Sequence, residues 1–407
     1  MQGIYDPARH EPLTATPWSD TAARAAITRI AQAAEGAFDA ERGSWPMHPR
    51  DDPKSPEQRY HGLYLGAAGV IWALRDLTSV GAISARRDYL PHIEAFPAHT
   101  LEDLAGEEHG TASYLFGESG ALLLQWQATR RTEVADKLYA VVQGNIDNPV
   151  NEALWGNPGT LLAAIHMSEA SGEVRWMALV QQGVKALLDT MSIDPETGTW
   201  VCVQDMYGRR TRYLGAGHGL VGNVYAAVRG AGCLDALTTA TFEVRALQTL
   251  AATALHAQHE GVRGINWHPF SDSARVVGRL PMVQDCHGAS GVVCRLASVP
   301  RSEAWDEILR GAGELTWFAG PLSKGASLCH GTAGSAMACL KLWRRFGDAL
   351  WLRRARALAM HCIEQVEAER TVHGQGRHTL WTGDLGVACT LWNCVQGDDR
   401  FPTLDHF

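Results

Sequence analysis

CHGASGVVCRLASV (286–299) and CHGTAGSAMACLKLW (329–343) are two copies of one pattern: Cys-His-Gly, a Gly-x-x-Gly turn, then a run that is apolar around most of its circumference. The same turn recurs at 66–69, 117–120, 156–159, 219–222 and 383–386, which makes seven copies, and the runs behind them are VIWALRDL, ALLLQWQA, TLLAAIHM, NVYAAVRG and VACTLWNC. Each run suffices for two to three helical turns, and a helix apolar on all sides is a buried one.

A second helical segment precedes each turn: 21–37, about 86–104, 132–143, 174–191, 241–258, 303–318 and 349–367. These carry a single apolar stripe. In one of them Leu179, Val180, Val184, Leu187 and Leu188 recur at helical spacing while Gln181, Gln182 and Lys185 fall elsewhere on the wheel, the pattern of an outer, half-buried helix. Pro91 and Pro97 interrupt the 86–104 segment. The unit is therefore a helical hairpin. An open stack of hairpins needs polar end caps, yet VIWAL and VACTLW are as apolar as the middle runs. The sequence predicts an all-α fold: a closed α/α toroid of seven helical hairpins, fourteen helices in inner and outer rings. Residues 1–407 read as one domain with an N-terminal arm over about 1–20. Two long gaps, 192–217 and 259–285, lack helical periodicity and read as structureless loops over the mouth of the ring, with Trp200, Arg209, Arg210, Arg212, Trp267 and His268 as candidate substrate contacts.

Composition narrows the function. A net charge of −8 with no dense Lys/Arg run argues against nucleic acid as a partner. No stretch reaches about 18 apolar residues, and the start, MQGIYDPARHEPLTATPW, lacks a signal-peptide pattern, so no membrane span and a cytoplasmic location are expected. The nine cysteines are an odd, scattered set that fits reduced thiols, and Cys294, Cys339 and Cys389 sit inside apolar runs as small hydrophobes.

Cys286, Cys329 and His330 share one phase of the repeat, just before the first glycine of a turn, so in a ring they converge on one end of the central cavity. Two thiolates and an imidazole are a zinc set, and three ligands leave the open position of a catalytic site. Buried structural cysteines, or a closed site with His287 as fourth ligand, are the alternatives. His218 occupies the same phase in the fourth repeat and is the acid/base candidate. Glu152, His287 and Lys324 complete the candidate catalytic set. An open zinc with two thiolate ligands favours a third, incoming thiol over water, which points to sulfur nucleophiles.

GHGLVG, CHGASG and CHGTAG, with the seven turns, resemble the lanthionine synthetase C (LanC) and LanC-like family, over nearly the whole chain from Tyr64 to Asn393. The resemblance implies zinc on Cys286, Cys329 and His330 and a catalytic role for His218. It also implies an activity: addition of a peptide cysteine thiol to dehydroalanine or dehydrobutyrine, forming a thioether ring. Substrates would be a dehydrated precursor peptide or a protein carrying dehydroamino acids, made by a separate dehydratase. Met282, Glu152 and His287 stand where peptide cyclases carry arginine, aspartate and tyrosine. NEALWGNPG, the Cys286-His287 pair and Lys324 are similar instead to the LanC-like branch, which implies glutathione as an alternative thiol. A zinc-dependent binding module without catalysis is the reading from another class.

Overall fold

Seven buried helices, each entered through a Gly-x-x-Gly turn, stand around a common centre in the computed structural model, which describes all of residues 1–407 except 2, 56, 108 and 272. In chain order, α1 (Asp20–Gly36) is outer and α2 (Ala67–Ser79) inner, and the next outer position is split into α3 (Leu90–Ile93) and α4 (Phe96–Asp103). Inner α5 (Glu118–Thr129) and α7 (Asn157–Ser171) alternate with outer α6 (Thr132–Gly144) and α8 (Val174–Thr190). Inner α9 (Leu220–Arg229) is followed by outer α10 (Ala236–Thr253) and a short extra helix, α11 (Ser273–Val276). Inner α12 (Ala289–Leu296), outer α13 (Glu303–Ala319), inner α14 (Thr332–Phe346), outer α15 (Ala349–His373) and inner α16 (Asp384–Gln396) complete the circuit.

The ring closes as the sequence requires. Every inner helix packs on the next, and α16 packs on α2. Outer helices from α6 onward lie chiefly on the inner helix before them, whereas α3 and α4 pack on α5, the one after; α1, which has no predecessor, docks on α16 and seals the seam between the chain's two ends. Fourteen ring positions are thus occupied by fifteen helices, because Pro91 and Pro97 each sit in the first turn of a short helix and break the outer segment between them.

Each turn is a loop that doubles back over a helix start. The first helical N–H groups, which no side chain caps, donate to carbonyls seven residues earlier: Ala67 to Tyr60 (2.9 Å), Leu220 to Tyr213 (3.0 Å), Thr332 to Gly325 (3.0 Å). That return brings the carbonyl six residues back against the second glycine of the motif, leaving no room for a Cβ at Gly69, Gly222, Gly291 or Gly334. The glycines are therefore steric requirements of the closed ring. The fifth turn departs in detail: Gly288 is at φ 103, open to glycine alone, and Asn266 Oδ1 takes the Ala289 N–H (2.9 Å) in place of a carbonyl. In a Gly291→Ala variant the methyl would fall on the Asp285 carbonyl oxygen. The expected loss is about 3 kcal/mol or more, read as a lowered thermal midpoint. A midpoint equal to wild type would show that the turn yields.

Two expectations are corrected. The outer segment placed at 241–258 is α10, Ala236–Thr253, and Leu255–His259 is instead a strand. Nor are the two long gaps structureless: they fold into antiparallel ribbons, β1 (Ser192–Ile193) with β2 (Trp200–Val201), β3 (Gln204–Met206) with β4 (Arg209–Thr211), and β5 (Leu255–His259) with β6 (Val262–Asn266). Among the described residues no helix is long and apolar enough to cross a membrane.

The end of the ring opposite the turns is filled by residues 401–407. Tyr114 donates its hydroxyl to the Thr403 carbonyl (2.5 Å), Tyr225 and Lys341 hold the Asp405 carboxylate (2.6 and 2.7 Å), and Phe407 packs on Trp72, Tyr114 and His166. Five inner helices or their turns thus grip this segment.

Candidate metal centre and acid–base site

The turns place their side chains at one end of the ring. Cys286 and Cys329 are buried, His330 is half-buried, and one ligand atom from each lies within 4.8 Å of the other two. Cys329 Sγ is 3.5 Å from His330 Nε2, and a tetrahedral zinc with its usual bond lengths needs a sulfur–nitrogen edge of roughly 3.5 Å. The donor set and its spacing fit zinc. His287 points elsewhere: its ring lies 5.7 Å from those of both His218 and Tyr213, and its Nδ1 is buried without a hydrogen-bond partner.

Each sulfur also has a donor that the sequence did not announce. Gln284 Nε2 donates to Cys286 Sγ (2.9 Å), while the Tyr64 hydroxyl hydrogen-bonds Cys329. Arg9, on the N-terminal arm, reaches the Gln284 side-chain oxygen (3.3 Å) and so anchors the donor to Cys286. The two cysteines form a coupled pair. A hydrogen bond from Cys329 holds Cys286 well below the ordinary thiol range against the penalty of burial, and a hydrogen bond from His330 acts in the same direction. Seven inner-helix N-termini face this end of the ring, and their positive dipole ends favour anionic sulfur.

Glu152 and His218, 66 residues apart in sequence, form a dyad, with His218 Nδ1 2.9 Å from Glu152 Oε2. The carboxylate is fully buried and also accepts the backbone N–H groups of Leu154 (3.0 Å) and Trp155 (2.6 Å), which fix it in place. Burial disfavours the His218 imidazolium, but the Glu152 hydrogen bond and charge, with the Cys286 sulfur, outweigh it and raise the histidine above its ordinary pKa. With Nδ1 committed to Glu152, Nε2 is the atom left to exchange a proton. His287 is the opposite case: burial pushes it down to about 4 and keeps it neutral.

Other expected site residues are not brought in. Lys324 is exposed, its backbone carbonyl accepts from Arg50 (2.8 Å), and no hydrogen bond or ion pair among the described residues joins its side chain to the cysteines or to His218. Trp267 is a core anchor, buried with its Nε1 on the Leu250 carbonyl (2.8 Å). Trp200 lies under the Arg245 guanidinium and bonds Gln248, and Arg212 is paired with Asp194 (2.7 Å). A second donor group, His48, Glu369 and His373, also gathers within 4.8 Å. Arginines crowd this group: His48 Nδ1 accepts the Arg50 backbone N–H (3.2 Å), the Arg50 guanidinium pairs with Glu369 (3.2 Å), and burial together with Arg377 holds His48 down to about 4.

Comparison with known proteins shows the family and the fold. The family profile described as lanthionine synthetase C-like protein matches residues 53–405. This chain belongs to the lanthionine synthetase C-like family. It is 33% identical over 132 residues to "LanC-like protein GCL1" of Arabidopsis thaliana, covering 30% of each chain. It is 28% identical over 268 residues to "Glutathione S-transferase LANCL1" of Danio rerio, covering 62% of this chain and 60% of that one. The matches therefore span 30% and 60% of those relatives' length. Among solved structures, the nisin cyclase is similar in fold at a TM-score of 0.56 and 13% identity, over 93% of this chain and 98% of that one.

Proposed function

We propose that this protein is a zinc-dependent enzyme that forms thioethers by adding a thiol to a dehydroamino acid in a peptide. The observation that carries it is the meeting of two groups at one end of the ring: a Cys286, Cys329, His330 donor set and a Glu152–His218 dyad whose histidine carries a raised pKa. A zinc ion on the three ligands would supply an activated thiolate at neutral pH.

The remaining steps belong to the chain. Attack of the thiolate on the β-carbon leaves an enolate at the neighbouring carbonyl, and the α-carbon must then gain a proton. His218 Nε2 delivers it, because Glu152 stabilises the protonated ring and keeps Nδ1 occupied. Neutral His287 and Tyr213 form the wall beside His218 and limit water there. Gln284 and Tyr64 hold the sulfurs in place.

A cysteine of the same peptide is the first candidate for the thiol, since tethering both reactants supplies orientation. Glutathione is the second, favoured by the similarity to a relative named glutathione S-transferase. The test is mass analysis of a dehydroalanine peptide incubated with the protein, once with an internal cysteine and once with added glutathione. Loss of a free thiol without mass change indicates ring closure, and a glutathione-sized mass gain indicates intermolecular addition. Neither product above the uncatalysed rate would end this reading.

Glu152 sets the pH range. The reaction needs protonated His218, so its rate is present below the folded pKa of that histidine and lost as pH rises through it. Glu152→Gln removes the hydrogen-bonding charge that raises this pKa. The alkaline limb of the pH–rate profile is expected to move to lower pH by about one unit or more. An unmoved limb would remove Glu152 from this role.

A further inference from the structure

Beside the reaction centre lies a groove of about 680 Å³ that neither the metal nor the dyad uses. Its lining comes from the β3–β4 ribbon and the loop around α11: Tyr207, Arg209, Tyr213, Phe270, Arg275 and Arg279 carry its character. Three guanidinium-bearing side chains line it, and its described lining contains no carboxylate. That is contrary to the chain as a whole, whose net charge is −8.

The groove is joined to the site through Tyr213. This ring packs against Phe270 in a tilted arrangement at 4.5 Å and lies 5.6 Å from the His218 ring and 5.7 Å from the His287 ring. Arg275 is held in position, its guanidinium 5.6 Å from the Phe270 centroid and its Nη2 on the Arg210 carbonyl (3.3 Å). Arg209 and Arg279 are exposed and have no ion pair among the described residues. The neighbouring arginines behave differently: Arg212 is paired with Asp194, and Arg210 lines another cavity together with Asp147, Asp189 and Asp205. Arg209 on the ribbon and Arg279 beyond α11 thus bring exposed guanidinium charge to a groove whose wall includes Tyr213, the ring beside His218.

We propose that this groove is a specificity subsite for acidic residues flanking the reacting residue of the peptide substrate. Guanidinium forks take carboxylates in a two-point geometry, and the aromatic floor of Tyr213 and Phe270 takes the intervening apolar backbone and side chains. A volume of about 680 Å³ accommodates several residues, so the subsite reads a segment and not a single group. The proposal rests on the thioether reading only in naming the occupant as the peptide; the charge pattern stands by itself.

The test is therefore a binding measurement with peptides that cannot react. Fluorescein-labelled short peptides carry alanine in place of dehydroalanine and either three Glu or three Gln on one flank, each flank being tried in turn. With the wild-type protein the Glu peptide on one flank is expected to bind about tenfold tighter than its Gln partner at low salt, two half-exposed contacts of a few-fold each, with the advantage shrinking as salt is raised. The double variant Arg209→Gln/Arg279→Gln, on exposed side chains, is expected to lose that advantage, while Arg210→Gln on the other face of the ribbon keeps it.

Equal affinity for Glu and Gln peptides overturns the proposal, as does an advantage that survives in the double variant. A glutathione titration is the remaining arm. If the double variant weakens glutathione and leaves the peptide preference intact, the groove serves the thiol and not the peptide, and the proposal is wrong. Turnover is scored separately: a peptide charge preference with no thioether product on any peptide would refute the proposed chemistry and leave the subsite standing.

Discussion

Replacing Cys286 or Cys329 by alanine is expected to strip the protein of most of its zinc and, with it, of thiol-adding activity. Each sulfur is one of the three proposed ligands, and among the described residues no fourth His, Cys, Asp or Glu donor joins the group: the His287 ring lies beside His218 and Tyr213. Zinc held by a few thiolates and imidazoles draws about 3 kcal/mol or more from each ligand, so affinity falls on the order of 100-fold or further. Metal analysis after dialysis against a weak chelator reads the loss, and circular dichroism checks that the ring is intact. Cys294→Ala is the control: that thiol is buried, bonds the Gly334 carbonyl, and is pushed well up by burial, the state of an inert core cysteine. A Cys286→Ala protein that keeps one equivalent of zinc would disprove the assignment.

His218→Asn is the second large effect. The amide can still donate to Glu152, so the buried carboxylate keeps a partner and the fold should survive, but the group proposed to protonate carbon is gone. Removing a positioned acid costs about 100- to 10,000-fold in rate. Zinc content and peptide affinity should stay near wild type, which separates this variant from the cysteine ones. A kcat within a few-fold of wild type would reassign the proton to another group.

The fold was legible because its steric rule is local. Both glycines of each turn are crowded at the Cβ position by the backbone of their own preceding loop, so the requirement repeats at fixed spacing and can be counted without knowing the ring. The positions of Cys286, Cys329 and His330 within that repeat were readable for the same reason. What failed was register and partnership. Ala236–Thr253 was placed five residues late because Leu255 and Ala257 prolong an apolar pattern that the chain in fact uses as a strand. Glu152 and His218 were each singled out, but their pairing needs the third and fourth turns to be neighbours. Gln284 and Tyr64 carried no signal, since an amide and a phenol beside thiolates have meaning only once the turns meet. Trp267 was misjudged in the opposite direction: an aromatic on a long loop looks like a contact surface until the β5–β6 ribbon buries it. The arginines of the mouth were visible as letters, and only the ribbon shows which of them are neutralised.

Residues 401–407, stoppering the ring away from the turns, make the interior a blind alley. Under the proposed thioether chemistry, a bulky, newly tied product and the next unreacted chain would contend for the end at which the turns meet, and the pace of repeated rounds would be governed by how quickly that doorway is vacated.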